Sequence, residues 1–179
     1  ADLFYEYLSA RQKIDAALNR QNYLQPDAGA SLAPWILSIT KRRFTVATVP
    51  TLSLCMLELL QDVRLAPIAT ENGICEALAA LVRFCDVNDD GTLHALGGCL
   101  SILSASNNLR PLFLKSSFLL AIRDWMVSVS NVPNPYLLML TSVNCAFLAE
   151  KDVFSHELAD RGIYIICIRI FELESFLDN

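Results

Sequence analysis

The sequence predicts an all-α fold of stacked helical repeats, an α-solenoid, and three observations carry that reading. Residues 64–83 recur at 108–127, an offset of 44: Leu65 falls on Leu109, Pro67 on Pro111, Ile68 on Leu112, Ile74 on Phe118, Ala77 on Ala121, Leu78 on Ile122 and Leu81 on Trp125. The preceding segment repeats in the same register, with Leu52, Cys55 and Leu59 answering Leu96, Cys99 and Leu103. A further copy follows at an offset of 45, where Leu148, Gly162 and Ile163 answer Leu103, Ser117 and Phe118. Helical periods of about 40–47 residues mark units that bury their apolar faces only against their neighbours. Such folds work through extended surfaces, so binding is expected before catalysis.

The elements follow in order. Leu3, Phe4, Tyr7, Leu8, Ile14, Ala17 and Leu18 sit at helical spacing and predict an amphipathic helix over 3–19. Pro26, Asp27 and Gly29 predict a break over 25–31, with a second helix from about Leu32 to Thr40. Pro50 suits the first turn of a third helix ending near Asp62, because its fixed φ and missing donor cost nothing there. A short helix from Leu65 to Thr70 should be closed by Asn72-Gly73, a pair able to turn left-handed. Helical spacing resumes from Ile74 to Cys85, and a polar loop follows over 86–91. A long helix is expected from Thr92 to Ala105, a short one opened by Pro111, and another from Phe118 to Val129. Asn134-Pro135 reads as a cap and first-turn proline for a helix over 136–149, and helices over 153–159 and 163–176 complete the last copy. Ile163 to Ile170 is β-branched enough for a strand, but the repeat predicts helix there.

Composition narrows the class. Of 179 residues, 54% are hydrophobic and 18% charged, against about 25% charged in an average globular chain. The excess apolar surface fits a piece of a longer solenoid, a subunit embedded in a large assembly, or a membrane protein. Against the last, the longest uncharged apolar stretch, Pro135 to Ala149, has 15 residues, and a spanning helix needs about 20. No transmembrane helix is expected. The formal charge of −5 disfavours nucleic acid as the main partner. The run Lys41-Arg42-Arg43 reads as cations favoured at a helix C-terminus. Six cysteines, at 55, 75, 85, 99, 145 and 167, form no CxxC pair and read as small buried hydrophobes in a reducing, intracellular compartment, cytoplasmic or mitochondrial. The first residue is Ala, which is consistent with loss of an initiator or a targeting segment.

One unit therefore reads long helix, short helix, Asn-Gly or Ser-Ser break, long helix, polar loop. Its clearest instance runs Ala69-Thr70-Glu71-Asn72-Gly73-Ile74-Cys75-Glu76-Ala77-Leu78-Ala79-Ala80-Leu81-Val82. This order resembles the armadillo repeat, in which a glycine precedes the third helix and Ile, Ala and Leu follow on its inward face. Gly73, Ile74, Ala77 and Leu78 match, as do Gly162 and Ile163; Ser117 replaces the glycine in the middle copy, and Gly29 stands 44 residues before Gly73. HEAT-type repeats share much of the pattern. The resemblance implies a right-handed α-solenoid of about three and a half repeats over 25–179, preceded by an N-terminal helix within 1–24. Nuclear import adaptors of the family carry Trp with Asn four residues later, whereas Trp125 is followed by Val129 and Trp35 by Ile39. Recognition of nuclear localisation signals is not expected.

The resemblance also implies a concave groove lined by third helices. Aligned copies place three ladders there: Ala79, Arg123 and Ile168; Ala80, Asp124 and Arg169; Arg83, Val127 and Glu172. Mixed signs and few charges suit an amphipathic or extended protein segment better than a polyanion. The loop Asp86-Val87-Asn88-Asp89-Asp90-Gly91 copies the first half of a calcium-binding EF-hand, but Gly97 occupies the twelfth place where a bidentate Glu is needed, so no metal is expected.

An enzyme is not expected. The two histidines, His94 and His156, lack a nucleophile and an acid at familiar spacing. No GxGxxG or GxxxxGK loop occurs to cradle a phosphate, and no cofactor is implied. Gly97-Gly98 lies within a helical pattern, where small residues permit close helix packing. The expected role is a non-catalytic protein-interaction scaffold, a structural subunit of a larger assembly or else a regulatory adaptor binding a partner segment in its groove.

Overall fold

The computed structural model describes residues 2–19, 25–41 and 45–128 and the single position 159. The described residues form α-helices joined by turns, with no strand among them. In order they are α1 (Leu3–Asn19), α2 (Gln25–Lys41), a 3₁₀ turn (Val46–Thr48), α3 (Val49–Gln61), α4 (Leu65–Glu71), α5 (Ile74–Val82), α6 (Asp90–Ala105), α7 (Arg110–Lys115) and α8 (Phe118–Ser128). The helices expected over 136–149, 153–159 and 163–176, like Gly162 and the boundary at residue 24, lie outside the described residues.

α1 buries Leu3, Tyr7, Ala10 and Ile14, a single stripe spaced four, three and four residues apart, while Phe4 and Leu8 from the expected apolar face stay exposed. Polar contacts tie the helix down from its first residue to its middle. The Trp35 indole N–H donates to the Leu3 carbonyl at 2.9 Å, and the Tyr7 hydroxyl donates to Glu58 at 2.6 Å. Arg11 faces Asp15 at 3.3 Å and reaches Glu58 and Asp62, each at 3.7 Å.

The expected break over 25–31 is helical instead. α2 starts at Gln25, which places Pro26 in its first turn, where a missing N–H leaves nothing unpaired. Gly29 lies inside the helix beside α4: a Cβ on it would meet Asn72 Nδ2 at 3.4 Å and Ile68 Cγ2 at 3.6 Å. Pro34, also internal to α2, faces solvent, so the carbonyl it leaves without a partner can turn to water. Leu32, Trp35, Ile36 and Ile39 form the buried face.

Pro50 stands in the first turn of α3, and Asp62 ends that helix in an extended conformation with its N–H on the Glu58 carbonyl at 3.3 Å. α4 is stopped by Asn72-Gly73, where Gly73 alone takes the left-handed conformation at φ 91°. The chain bends by 74° there before α5. α6 starts at Asp90, two residues earlier than expected, because Asp89 caps it: its carboxylate accepts from the Thr92 N–H at 3.1 Å and the Thr92 hydroxyl at 2.6 Å. Its far end is capped by Arg110, whose buried guanidinium donates to the carbonyls of Ser104 at 2.6 Å and Ala105 at 3.2 Å.

α3 lies on α6, α4 on α7 and α5 on α8, each helix on one that starts some 41–45 residues later, while α1 contacts α3 and α2 contacts α5. Gly98 brings α6 close to α3, since a Cβ there would sit 2.9 Å from Leu57 Cδ1. One continuous core runs through all these layers, from Leu3 and Tyr7 to Phe118 and Trp125. Phe113 and Phe118 are fully enclosed within it and meet edge-on, with ring centroids 6.1 Å apart. Burying one such ring contributes roughly 1.5–3 kcal/mol.

Candidate interaction groove between α5 and α8

Where α8 lies on α5, a cavity of about 410 Å³ opens, lined by Arg83, Ser117, Leu120, Ala121, Asp124 and Trp125. Leu120, Ala121 and Asp124 share a face of α8, and Ser117 stands just before its first residue; Arg83 stands at the C-terminal end of α5. Trp125 closes the floor, 8% exposed, with its indole N–H on the Cys85 carbonyl at 3.3 Å. Arg83 and Asp124 are both exposed at its mouth.

The nine residues expected to line a groove part company here. Arg83 and Asp124, from different ladders, are brought into one cavity. Arg123 lies beside it and donates to Asp124 through Nε at 2.8 Å and through its terminal nitrogen at 2.6 Å. Ala79 is a correction: at 3% exposure it belongs to the core, because α5 is covered both by α2 and by α8 and has little outer face left. Ala80 is half-buried. The side chain of Val127, and Ile168, Arg169 and Glu172, lie outside the described residues. Ser117, Leu120 and Ala121 were not among the expected residues, although stepping back from Asp124 by three, four and seven residues reaches all three.

The charges around the cavity are unequal. The Asp124 carboxylate is held by its neighbour Arg123. Among the described residues no ion pair engages Arg83, so the cavity offers one available cation.

Other candidate chemistry is structural where it is described. Burial pushes the Cys55, Cys75 and Cys85 thiols up to about 12 and raises Cys99 as well, which disfavours thiolate. These four thiols are free; Cys145, Cys167 and His156 lie outside the described residues. In the acidic loop, Asp86 accepts from the Asn88 N–H at 2.9 Å and Asp89 is occupied by Thr92. Among the described residues no group of three His, Cys, Asp or Glu side chains is placed to hold a metal ion. Nor is any single helix among them long and apolar enough to cross a membrane.

No protein-family model matches the chain, and no curated protein or solved structure matches it.

Proposed function

We propose that this protein is a non-catalytic interaction scaffold built as a right-handed armadillo-like α-solenoid, working as a structural subunit of a larger intracellular assembly. The observation that carries the reading is the layer order: α3 on α6, α4 on α7 and α5 on α8, with an apolar core running through every layer. A stack of this kind continues at its ends and presents one surface per layer, which suits it to holding other chains. Free, buried thiols support a reducing compartment, cytoplasmic or mitochondrial. Exposed Phe4, Tyr5 and Leu8 on α1 and exposed Leu112 on α7 support partners that cover apolar surface.

The cavity between α5 and α8 favours a second reading, a regulatory adaptor that takes a partner segment in its groove. Affinity purification of the tagged protein from its own cells at low and high salt separates the two. A fixed set of proteins at constant stoichiometry in high salt is the result expected of a subunit. Salt-sensitive, substoichiometric partners are the result expected of an adaptor, and recovery of the protein alone would overturn both.

A further inference from the structure

We propose that the groove between α5 and α8 seats a protein segment carrying an acidic residue within about one helical turn of a large apolar side chain. The inference rests on the reading of the protein as an interaction module and names the chemistry of what this one groove takes. The apolar group would enter over Leu120, Ala121 and Trp125, and the carboxylate would meet Arg83 at the rim.

Three observations select that occupant. The floor and one wall are apolar, and the volume of about 410 Å³ lies in the range of sites that enclose a side chain or small ligand, roughly 300–1,000 Å³. The lining carries two exposed charges of opposite sign that are not equivalent, and the Glu76 carboxylate next to it is taken up by Ser117. Asp124 already has a cation on it, so a basic partner residue would have to compete with Arg123, which is adjacent in sequence and 2.6 Å away. Arg83 has no carboxylate within ion-pair distance among the described residues, and its planar fork fits a carboxylate with two parallel bonds. Charge complementarity therefore favours an acid over a base at this rim. A buried aromatic residue, Trp125, ringed by the exposed Arg83 and Asp124 is also the anatomy of a protein interface.

The probe is a phage-displayed library of random 12-residue peptides, panned on the purified full chain and, in parallel, on the Arg83→Glu chain. Arg83 is exposed and makes no ion pair among the described residues, so the variant should keep its helical signal and a cooperative melt, with a small drop in melting temperature from an anion at the C-terminal end of α5, which circular dichroism checks. The expected result is enrichment of peptides with Asp or Glu within four residues of Leu, Met, Phe or Trp. The best of these should bind the parental chain at least tenfold more tightly than Arg83→Glu, measured by fluorescence polarisation, and Arg83→Glu should enrich Lys or Arg instead. No enrichment, enrichment without acidic residues, or equal binding to both chains would overturn the proposal. The affinity purification described above remains a separate readout. If Arg83→Glu keeps every partner, the groove assignment fails while the scaffold reading stands.

Discussion

The Glu76 carboxylate on α5 accepts two hydrogen bonds from Ser117, 41 residues further on, one from its backbone N–H at 3.0 Å and one from its hydroxyl. Ser117 stands where the repeat places Gly73. In the earlier copy the turn is made by a left-handed glycine. In the later one Ser116 is extended, and the N–H of Ser117, the residue before α8, is satisfied by a carboxylate from the neighbouring layer. The same corner is thus built once by backbone freedom and once by a contact between layers.

Glu76→Ala should therefore loosen α8 from α5. Loss of a capping acceptor costs about 0.5–2 kcal/mol, and exposure to water puts this one at the lower end, about 0.5–1 kcal/mol. Urea denaturation of the two chains checks it. A change below about 0.2 kcal/mol would mean that water replaces Glu76 without loss.

Gly73 and Gly29 occupy equivalent repeat positions but should respond to alanine with opposite sign. At Gly73 a Cβ meets nothing within 4 Å, so the penalty is purely conformational, about 1–2 kcal/mol for a left-handed residue. At Gly29, inside α2, the added methyl makes ordinary contacts, and Gly29→Ala should gain about 0.4–1 kcal/mol. Thermal melts of both variants against the parent test the pair together.

Arg110 is buried, at 3% exposure, and holds the end of α6 through two carbonyls. Arg110→Ala should cost about 2–4 kcal/mol, from lost charged hydrogen bonds and the space left behind. Arg110→Lys should recover little, because a single ammonium lacks the planar fork that serves both carbonyls. Chemical denaturation midpoints rank the three chains; a lysine variant as stable as the parent would contradict this account.

Acid should weaken the fold through Asp89 and Asp62. The hydrogen bond from the Thr92 hydroxyl, helped by the Thr92 N–H, holds Asp89 below the usual carboxylate range, and the Arg64 side chain does the same for Asp62. A lowered folded pKa means that the ionised form is favoured by folding. The contribution is fully present above about pH 4, the unfolded value, and is lost as pH falls through the lowered folded values. Melting temperature should fall over that window, and Asp89→Asn, which keeps an acceptor but cannot ionise, should flatten part of the fall.

Calcium should leave the acidic loop unchanged. Asp86 and Asp89 already accept local donors, and Gly97, at the place of the twelfth ligand, is buried in α6. Millimolar calcium is expected to shift the melting temperature by less than about one degree; a rise of several degrees would show a site the local contacts do not reveal.

Much of the helical order was legible from residue spacing. Pro50 and Pro111 mark helix starts, Asn72-Gly73 marks a stop, and α1, α3, α4, α7 and α8 fall within a residue or so of their expected limits. The start of α2 was not legible, because Pro26 and Gly29 read equally well as breakers or as first-turn and close-packing residues, and only the presence of α4 beside Gly29 decides between them. Of the residues expected to face a groove, Arg83 and Asp124 line one cavity, whereas Ala79 is buried, because a single helical wheel does not show that α5 is covered on two sides.

The sequence by itself determined most of the helices and their punctuation, and part of the face each turns inward, since a 3.6-residue period and the φ limits of proline and glycine act within a few residues. Tertiary structure alone decided which face of α5 remains open, that Glu76 meets Ser117, and that Arg83 and Asp124 come to line one cavity. Those outcomes depend on how closely and at what angle whole layers approach. That approach is set by side-chain volumes distributed over the entire core, and no local stretch of chain encodes it.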